Sequence, residues 1–431
     1  MKRKNHGVLF AILLLGLISL SPGDNRNLLQ SSDTGYSESL PFAYRPVEKD
    51  PGHIKVAVQM EPDEFRLLQE QNELFIKSHH VTIDLVNEYG RDAHAVFGHE
   101  LALHEAPDVM LLDNAWVREF AVKGYLLPAD SYFSGAAAGN SLSALQTYSE
   151  WNGYVWAVPK DVDPYVLIYN PERLSALGYE GMPATLEDWS RLAKAAGQSQ
   201  ANQSQANRPG YFIAFDFSDP YSFLSLIRRM GGNGSKEETA GYALTDGEKG
   251  ALLLLENIRA SLYDASSGGK QETVWSMLGS GEAVMAVARY SEFRANPDPK
   301  LRIEMPSNLP SAQHMAGAGR SFAVFSGTGD PDTANEWIAA MTESAQQKSW
   351  YEATGKLPAF KPLYKASSSA EIAGWLPENS DKGLLWNMPL SENSASFLKL
   401  LSGLAASFLR GEMPREAFML KYSAEMKQAR P

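Results

Sequence analysis

Apolar and polar positions along this chain switch between two periods. Residues 54–59 (IKVAVQ) form a β-branched run, and Phe65, Leu68, Leu74 and Phe75 then recur at helical spacing over 63–77. Residues 81–88 put Val81, Ile83 and Leu85 on one face, 91–104 read as helix, 107–113 as a nearly continuous apolar strand, and 114–123 as helix again. Three β–α repeats imply a parallel sheet covered on both faces. In such sheets ligands sit at the carboxyl ends of strands, so the loops to watch are Gln59–Glu61, Glu88–Gly90 and Asp113–Trp116.

Further on, 154–159 and 165–170 are strand-like runs joined by Lys160–Pro164. Asn152-Gly153 fits a type I′ hairpin turn ahead of the first run. Thr185 with Asp188 predicts a capped helix over 186–196, and Thr245 with Glu248 another over 246–262. Residues 211–217 and 320–326 read as strands, 221–230 as helix, and Asp330-Pro331 as a helix start. Gly124 fits the position just past a helix end, with Pro128 stopping the chain soon after. The C-terminal 391–429 is helical in two pieces, broken near Gly411–Pro414. Residues 198–207 repeat QSQAN in tandem and read as an exposed loop lengthened by duplication.

The N-terminus has another pattern. Lys2, Arg3 and Lys4 precede 14 uncharged apolar residues, 7–20, too short to span a bilayer and matched to an export signal or a retained membrane anchor. Residues 1–22 are read as that segment and 23–52 as a flexible tether, so the expected location is extracellular, either released or held at the membrane by the apolar segment.

Composition narrows the chemistry. The 431 residues contain no cysteine, which removes disulfides, thiol nucleophiles and cysteine-bound metals or lipids. A net charge of −12 is a poor match to nucleic acid. His94, His99 and His104 are spaced by five, which turns about 140° around a helix, so they do not share a face and read as solvated. Gly317-Ala-Gly319 precedes a strand instead of following one, and no phosphate loop or nucleophile elbow is complete. No cofactor and no metal site are expected. With 51 acids, a carboxylate pair for glycoside cleavage stays open.

Several stretches together resemble the extracellular solute-binding proteins of ATP-binding-cassette importers, the family 1 class like maltose-binding protein. They are Ala106–Leu112 with Trp116 and Gly124–Pro128, Trp151-Asn152-Gly153 leading to Leu167–Pro171, Pro183–Trp189, Trp275 through Gly281–Met285, and Gly355–Pro358. They stand in the family's order over residues 53–425. The resemblance implies an α/β, two-lobed periplasmic-binding-protein fold of type II. Lobe one is expected at 53–162 and 318–366, and lobe two at 163–317 and 367–431. The chain would cross near 160–166, 314–320 and 365–370, with closure about that hinge.

The function implied is capture of a small solute, most often a carbohydrate, for delivery to a membrane permease by a monomer that is not an enzyme. The alternatives are an extracellular carbohydrate-active hydrolase and a ligand sensor feeding a receptor kinase. Matching to the family places Asp163 at the hinge, Asp219 and Tyr221 on lobe two, Asp113 and Trp116 at the end of the third strand, and Arg289 and Tyr290 after a small-residue strand. Glu61 joins them from the first strand's loop. Carboxylates accept hydrogen bonds from sugar hydroxyls and aromatic faces cover sugar rings. Each residue also has a plain structural reading: Trp116 as core, Asp219 as a helix cap, Asp163 as a turn residue, Arg289 as a surface ion pair. Trp275, Trp337 and Trp350 read as core. The departure from the family is the missing lipidated cysteine.

Overall fold

The computed structural model describes residues 52–129, 133, 139–202, 210–232, 243–266, 273–305, 309, 316–365, 372, 374–376 and 391–428. The export segment, the tether up to residue 51 and the second QSQAN copy at 203–207 lie outside these residues.

The first half opens with β1 (His53–Val58), α1 (Pro62–His79), β2 (Thr82–Asn87), α2 (Ala93–Leu103), β3 (Val109–Asp113) and α3 (Asn114–Val122). After α4 (Ser143–Ser149) a hairpin forms from β4 (Glu150–Trp151) and β5 (Tyr154–Val155), and leads into the long β6 (Val158–Tyr169). Next come α5 (Pro171–Ala176), α6 (Leu186–Asn202), β7 (Tyr211–Phe215), α7 (Pro220–Gly231), α8 (Asp246–Asn257), β8 (Leu262–Asp264), α9 (Val274–Ser280), β9 (Ala283–Arg289) and α10 (Tyr290–Ala295). The last part holds β10 (Arg302–Ile303), β11 (Gly317–Val324), α11 (Pro331–Thr342), α12 (Ser344–Thr354), β12 (Leu357–Pro358), α13 (Pro362–Lys365), α14 (Ser394–Leu409) and α15 (Arg415–Gln428).

The strands run in the order β2-β1-β3-β11-β6-β9-β7-β8. The outer pairs β1–β2, β1–β3, β7–β8 and β7–β9 are parallel. At the centre β11 and β6 run antiparallel to their neighbours. The amino-terminal part of β6 pairs with β11, from Val158↔Phe322 to Pro164↔Gly317, and its carboxyl-terminal part pairs with β9, from Tyr165↔Arg289 to Tyr169↔Met285. One strand therefore serves two sheet halves.

Alternation in the strands sends side chains to opposite faces. Ile54, Val56 and Val58 enter a core with α1 and α11, while Ala57, Met110 and Leu112 enter one with α2 and α3. In the other half, Leu167, Ile213 and Met285 pack with α6, α7, α8 and both C-terminal helices, while Ile168, Ala214 and Ala286 face Leu278, Tyr351 and Trp375. Trp337 and Trp350 are buried as expected; Trp275 is half-buried at the edge of its cluster.

Local signals hold where the chemistry is local. Gly124 has φ +73°, and the bonds Gly124 N–H to Ala121 O and Tyr125 N–H to Phe120 O close α3. Asn152 at φ +51° and Gly153 at φ +79° turn the hairpin. Thr245 and Glu248 make a capping box. Three expectations are corrected. Lys160–Pro164 is no joint but the middle of β6, because its polar side chains each find a partner. The helix begun at Asp246 stops at Asn257, where a short 3₁₀ turn and β8 take over. The helix begun at Leu186 runs on through the first QSQAN copy to Asn202, which replaces a loop there.

Candidate functional site

A cavity of about 360 Å³ opens where the two sheet halves meet, at the carboxyl ends of β1, β2 and β3. Gln59, Met60 and Glu61 come from the β1–α1 loop, Tyr89 and Gly90 from the β2–α2 loop, and Leu111, Asp113 and Trp116 from the end of β3 and the start of α3. The floor is made by Asp161 and Asp163 of β6, by Ala318, Gly319 and Arg320 of β11, and by Lys356. Tyr221 of α7 and Arg289 at the end of β9 close the other side.

The floor is an ion network. Arg320 bridges Glu64 and Asp161 through one terminal nitrogen, and its Nε donates to Asp161 at 3.1 Å. Lys356 Nζ reaches Glu64 at 3.3 Å, and Trp350 Nε1 donates to Asp161 at 2.9 Å. Burial opposes the ionisation of Asp161, but Arg320, and then Lys356 and Lys160, outweigh it and hold the carboxyl below its ordinary range. Burial likewise opposes charge on Arg320, and Asp161 and Glu64 overcome it, so the guanidinium titrates above its ordinary value. Lys160 points away from the cavity, over the Trp350 ring at 4.2 Å, and donates to the Met341 carbonyl at 3.0 Å. Burial lowers it to about 8.

The opposite wall is a chain of hydrogen bonds. Arg289 Nε donates to the Tyr165 hydroxyl at 3.1 Å, and that hydroxyl donates to Asp219 Oδ2. Asp219 Oδ1 accepts the Tyr221 and Ser222 N–H groups at 3.0 and 3.3 Å and so caps α7. Tyr221 OH then reaches across to Asp113 Oδ1 at 3.2 Å, which also accepts the Ala115 N–H at 2.8 Å. Burial pushes both Asp113 and Asp219 up from the ordinary carboxylate value. Burial also raises Tyr165 and Tyr221 well above the ordinary phenol range, so both hydroxyls stay donors at neutral pH.

Of the residues singled out in the sequence, Glu61, Asp113, Trp116, Asp163, Tyr221 and Arg289 line this one cavity. Asp219 stands behind Tyr221 as a cap. Tyr290 does not reach the cavity: it is 1% exposed, 4.7 Å from the Trp375 ring centroid and 3.4 Å from the Tyr351 hydroxyl. The step from β9 into α10 sends Arg289 and Tyr290 to opposite sides. His94 is a further correction: it is half-buried, bonded to Glu119 at 2.9 Å and stacked on Phe120. Among the described residues, no group of three or more His, Asp or Glu is placed to hold a metal ion. Sequence reasoning missed the Glu64–Asp161–Arg320–Lys356 network. Its members are far apart in the chain and no spacing rule joins them.

Residues 72–375 match the sequence profile of the bacterial extracellular solute-binding proteins. The chain belongs to this family. Solved structures of the same fold cover most of it. The GacH receptor of Streptomyces glaucescens, described unliganded and in complex with acarbose, is 20% identical with a TM-score of 0.69, over 88% of this chain and 99% of that one. The sugar-binding protein MalE of Xanthomonas citri is 18% identical with a TM-score of 0.68, over 88% and 97%. Maltose-bound MalE3 of T. maritima is 20% identical with a TM-score of 0.67, over 87% and 99%. These neighbours carry the two-lobed periplasmic-binding-protein fold, which matches the two sheet halves joined by β6 and β11. A solute-binding protein of this extracellular family is exported, and the family's members are binding proteins.

Proposed function

We propose that this solute-binding protein captures a small carbohydrate between its lobes and presents it to an ATP-binding-cassette permease, without turning it over. The observation that carries the reading is the mixture in the cavity wall: Trp116, Tyr89 and Tyr221 beside Glu61, Asp113 and Arg289. Aromatic faces cover the C–H faces of sugar rings, and fixed carboxylates and guanidinium groups serve their hydroxyls. The cavity is near the small end of small-molecule sites, which span roughly 300–1,000 Å³, and suits one or two rings. Acarbose and maltose in the neighbouring structures point to the same class.

The lobes would be 53–162 with 318–366, and 163–317 with 367–431. Support comes from β6 and β11, which lie at the junction, and from α14 and α15, which pack in the core of β7 and β9. The protein would act as a monomer, and the basic and apolar N-terminus would direct export and decide between release and retention at the membrane.

A thermal-shift screen of the purified protein against mono- and oligosaccharides tests the reading. A ligand that binds only the folded state at a hundred times its Kd stabilises by about 2.7 kcal/mol. A shift with one or a few sugars, and no product formed, is expected. No shift with any sugar, alongside a shift with amino acids or peptides, would remove the carbohydrate assignment. Glycan cleavage would replace binding with hydrolysis.

A further inference from the structure

Most charges around the cavity are already engaged by the protein. Arg320 is spent on Glu64 and Asp161, and Lys356 leans on Glu64. Asp161 is spent on Arg320 and Trp350. Asp163, the acid at the crossing strand, has each oxygen bonded to one residue of α10: Oδ1 accepts the Ser291 N–H at 3.0 Å and Oδ2 the Ser291 hydroxyl at 2.6 Å.

Arg289 differs. Only its Nε is held, by the Tyr165 hydroxyl at 3.1 Å, with the guanidinium 5.7 Å from the Tyr165 ring centroid. Among the described residues its two terminal nitrogens make no hydrogen bond, and the side chain is open to the cavity. Tyr165 and Arg289 face each other in the β6–β9 register, and Asp163 lies two residues from Tyr165 on the same strand. Both therefore work on one object. Tyr165 fixes the inner edge of the guanidinium, and Asp163 pins Ser291, two residues beyond Arg289, and with it the backbone that carries the arginine.

We propose that Arg289 is the specificity-determining residue of the cleft, that Asp163 is a positioning residue acting through it, and that the solute is an uncharged, polyhydroxylated ring. This rests on the carbohydrate reading above and deepens it. The absence of charge follows from the neighbours. Among the groups facing Arg289 across the cavity, the second oxygen of Asp113 and the Glu61 carboxylate are placed as acceptors. Hydroxyls on adjacent ring carbons accept from the Arg289 fork and donate to those carboxylates, because each hydroxyl does both. A sugar acid would bring its carboxylate into a wall that also holds Glu61, Asp113 and Asp163.

The experiment uses the purified protein with maltose, maltotriose, tagatose, inositol, galacturonate and glucuronate, read by titration calorimetry. The neutral compound bound most tightly is then measured against Arg289→Ala, Arg289→Lys, Asp163→Ala and the double variant, each first shown to melt cooperatively without ligand. Arg289→Ala is expected to weaken binding about 10- to 100-fold, the size of lost charge-assisted hydrogen bonds. Arg289→Lys is expected to restore little, since an ammonium has no fork and does not bond Tyr165 in the same place. Asp163→Ala is expected to weaken binding less, and to add almost nothing once Arg289 is gone, because coupled residues are not additive. Affinity within threefold of wild type for Arg289→Ala, additive losses in the double variant, or tighter binding of a uronate would overturn the proposal. Wild type that binds none of the six compounds defeats the carbohydrate reading itself, an outcome distinct from wild type that binds while Arg289→Ala is indifferent.

Discussion

Lys160 shows how far one side chain can depart from its free behaviour. It is 1% exposed, and burial lowers it to about 8 despite the pull of Asp161 and Glu64, with Arg320 acting in the same direction as burial. The unfolded chain keeps the ordinary lysine value near 10.5. Between pH 8 and 10.5 the unfolded state therefore holds a proton that the folded state has released, and stability rises with pH in that window. Relative to Lys160→Met, wild type should gain about 2 kcal/mol between pH 7.5 and 10 in urea denaturation. A parallel pH response of the two proteins would refute it. Gly319 is a second such position. A Cβ there would lie 2.7 Å from Asn114 Nδ2 and 3.0 Å from the Asp161 carbonyl, with backbone on one side of the squeeze. Gly319→Ala should cost about 1–3 kcal/mol of stability by the same assay, the usual cost of overpacking. The sequence showed Lys160 only as the start of a joint and Gly319 only in an incomplete glycine motif, because their roles depend on what the fold places beside them.

At the scale of elements, starts and stops were legible. Asp219 ahead of Pro220, Asp330 ahead of Pro331 and the Thr245 box each begin a helix through bonds within a few residues. β6 was not legible as one strand. Lys160, Asp161, Asp163 and Pro164 look like a turn, yet the strand is paired by β11 and β12 along one stretch and by β9 along the next. Tertiary pairing overrides the local preference, and the ion network and the Asp163–Ser291 bonds satisfy the polar atoms. The C-terminal helices are part of the second core. Phe418 of α15 is fully buried, with ring centroids 5.5 Å from Phe223 and 5.2 Å from Phe408. Phe418→Ala should lower the unfolding free energy by about 3–5 kcal/mol, measured by chemical denaturation. A loss below 1 kcal/mol would mean that α15 does not contribute to that core.

For the whole molecule, two of the bonds that join the halves outside the floor differ sharply in setting. Tyr221 OH meets Asp113 at 3.2 Å inside the cleft, and Lys399 meets Asp92 at 2.8 Å on the surface. Their surroundings predict different weights. The Lys399 and Asp92 side chains are 79% and 50% exposed, and exposed pairs contribute about 0–1 kcal/mol. Lys399→Ala should leave solute affinity within about twofold by titration. Tyr221 and Asp113 are only part-exposed, so Tyr221→Phe leaves Asp113 short of a donor and loosens the contact between the halves. Small-angle scattering should then give a larger radius of gyration for the unliganded variant than for wild type. Saturating solute should narrow the difference, since a ligand that prefers the closed form draws the population to it. Equal radii without solute would show that the bond does not hold the lobes together.

The sequence by itself determined the alternation of strands and helices, the caps and turns, the loops that carry the cleft, and the family. These follow from backbone geometry and from bonds spanning a few residues. It also pointed to six of the residues that share the cavity. Only the tertiary structure decided that Arg289 faces the cleft while Tyr290 turns into the core, that Asp163 is occupied by Ser291, and that Glu64, Asp161, Arg320 and Lys356 form one network. These depend on β6 and β11 bringing distant segments into register. A side chain's partner across a sheet is set by that register, which no local pattern encodes.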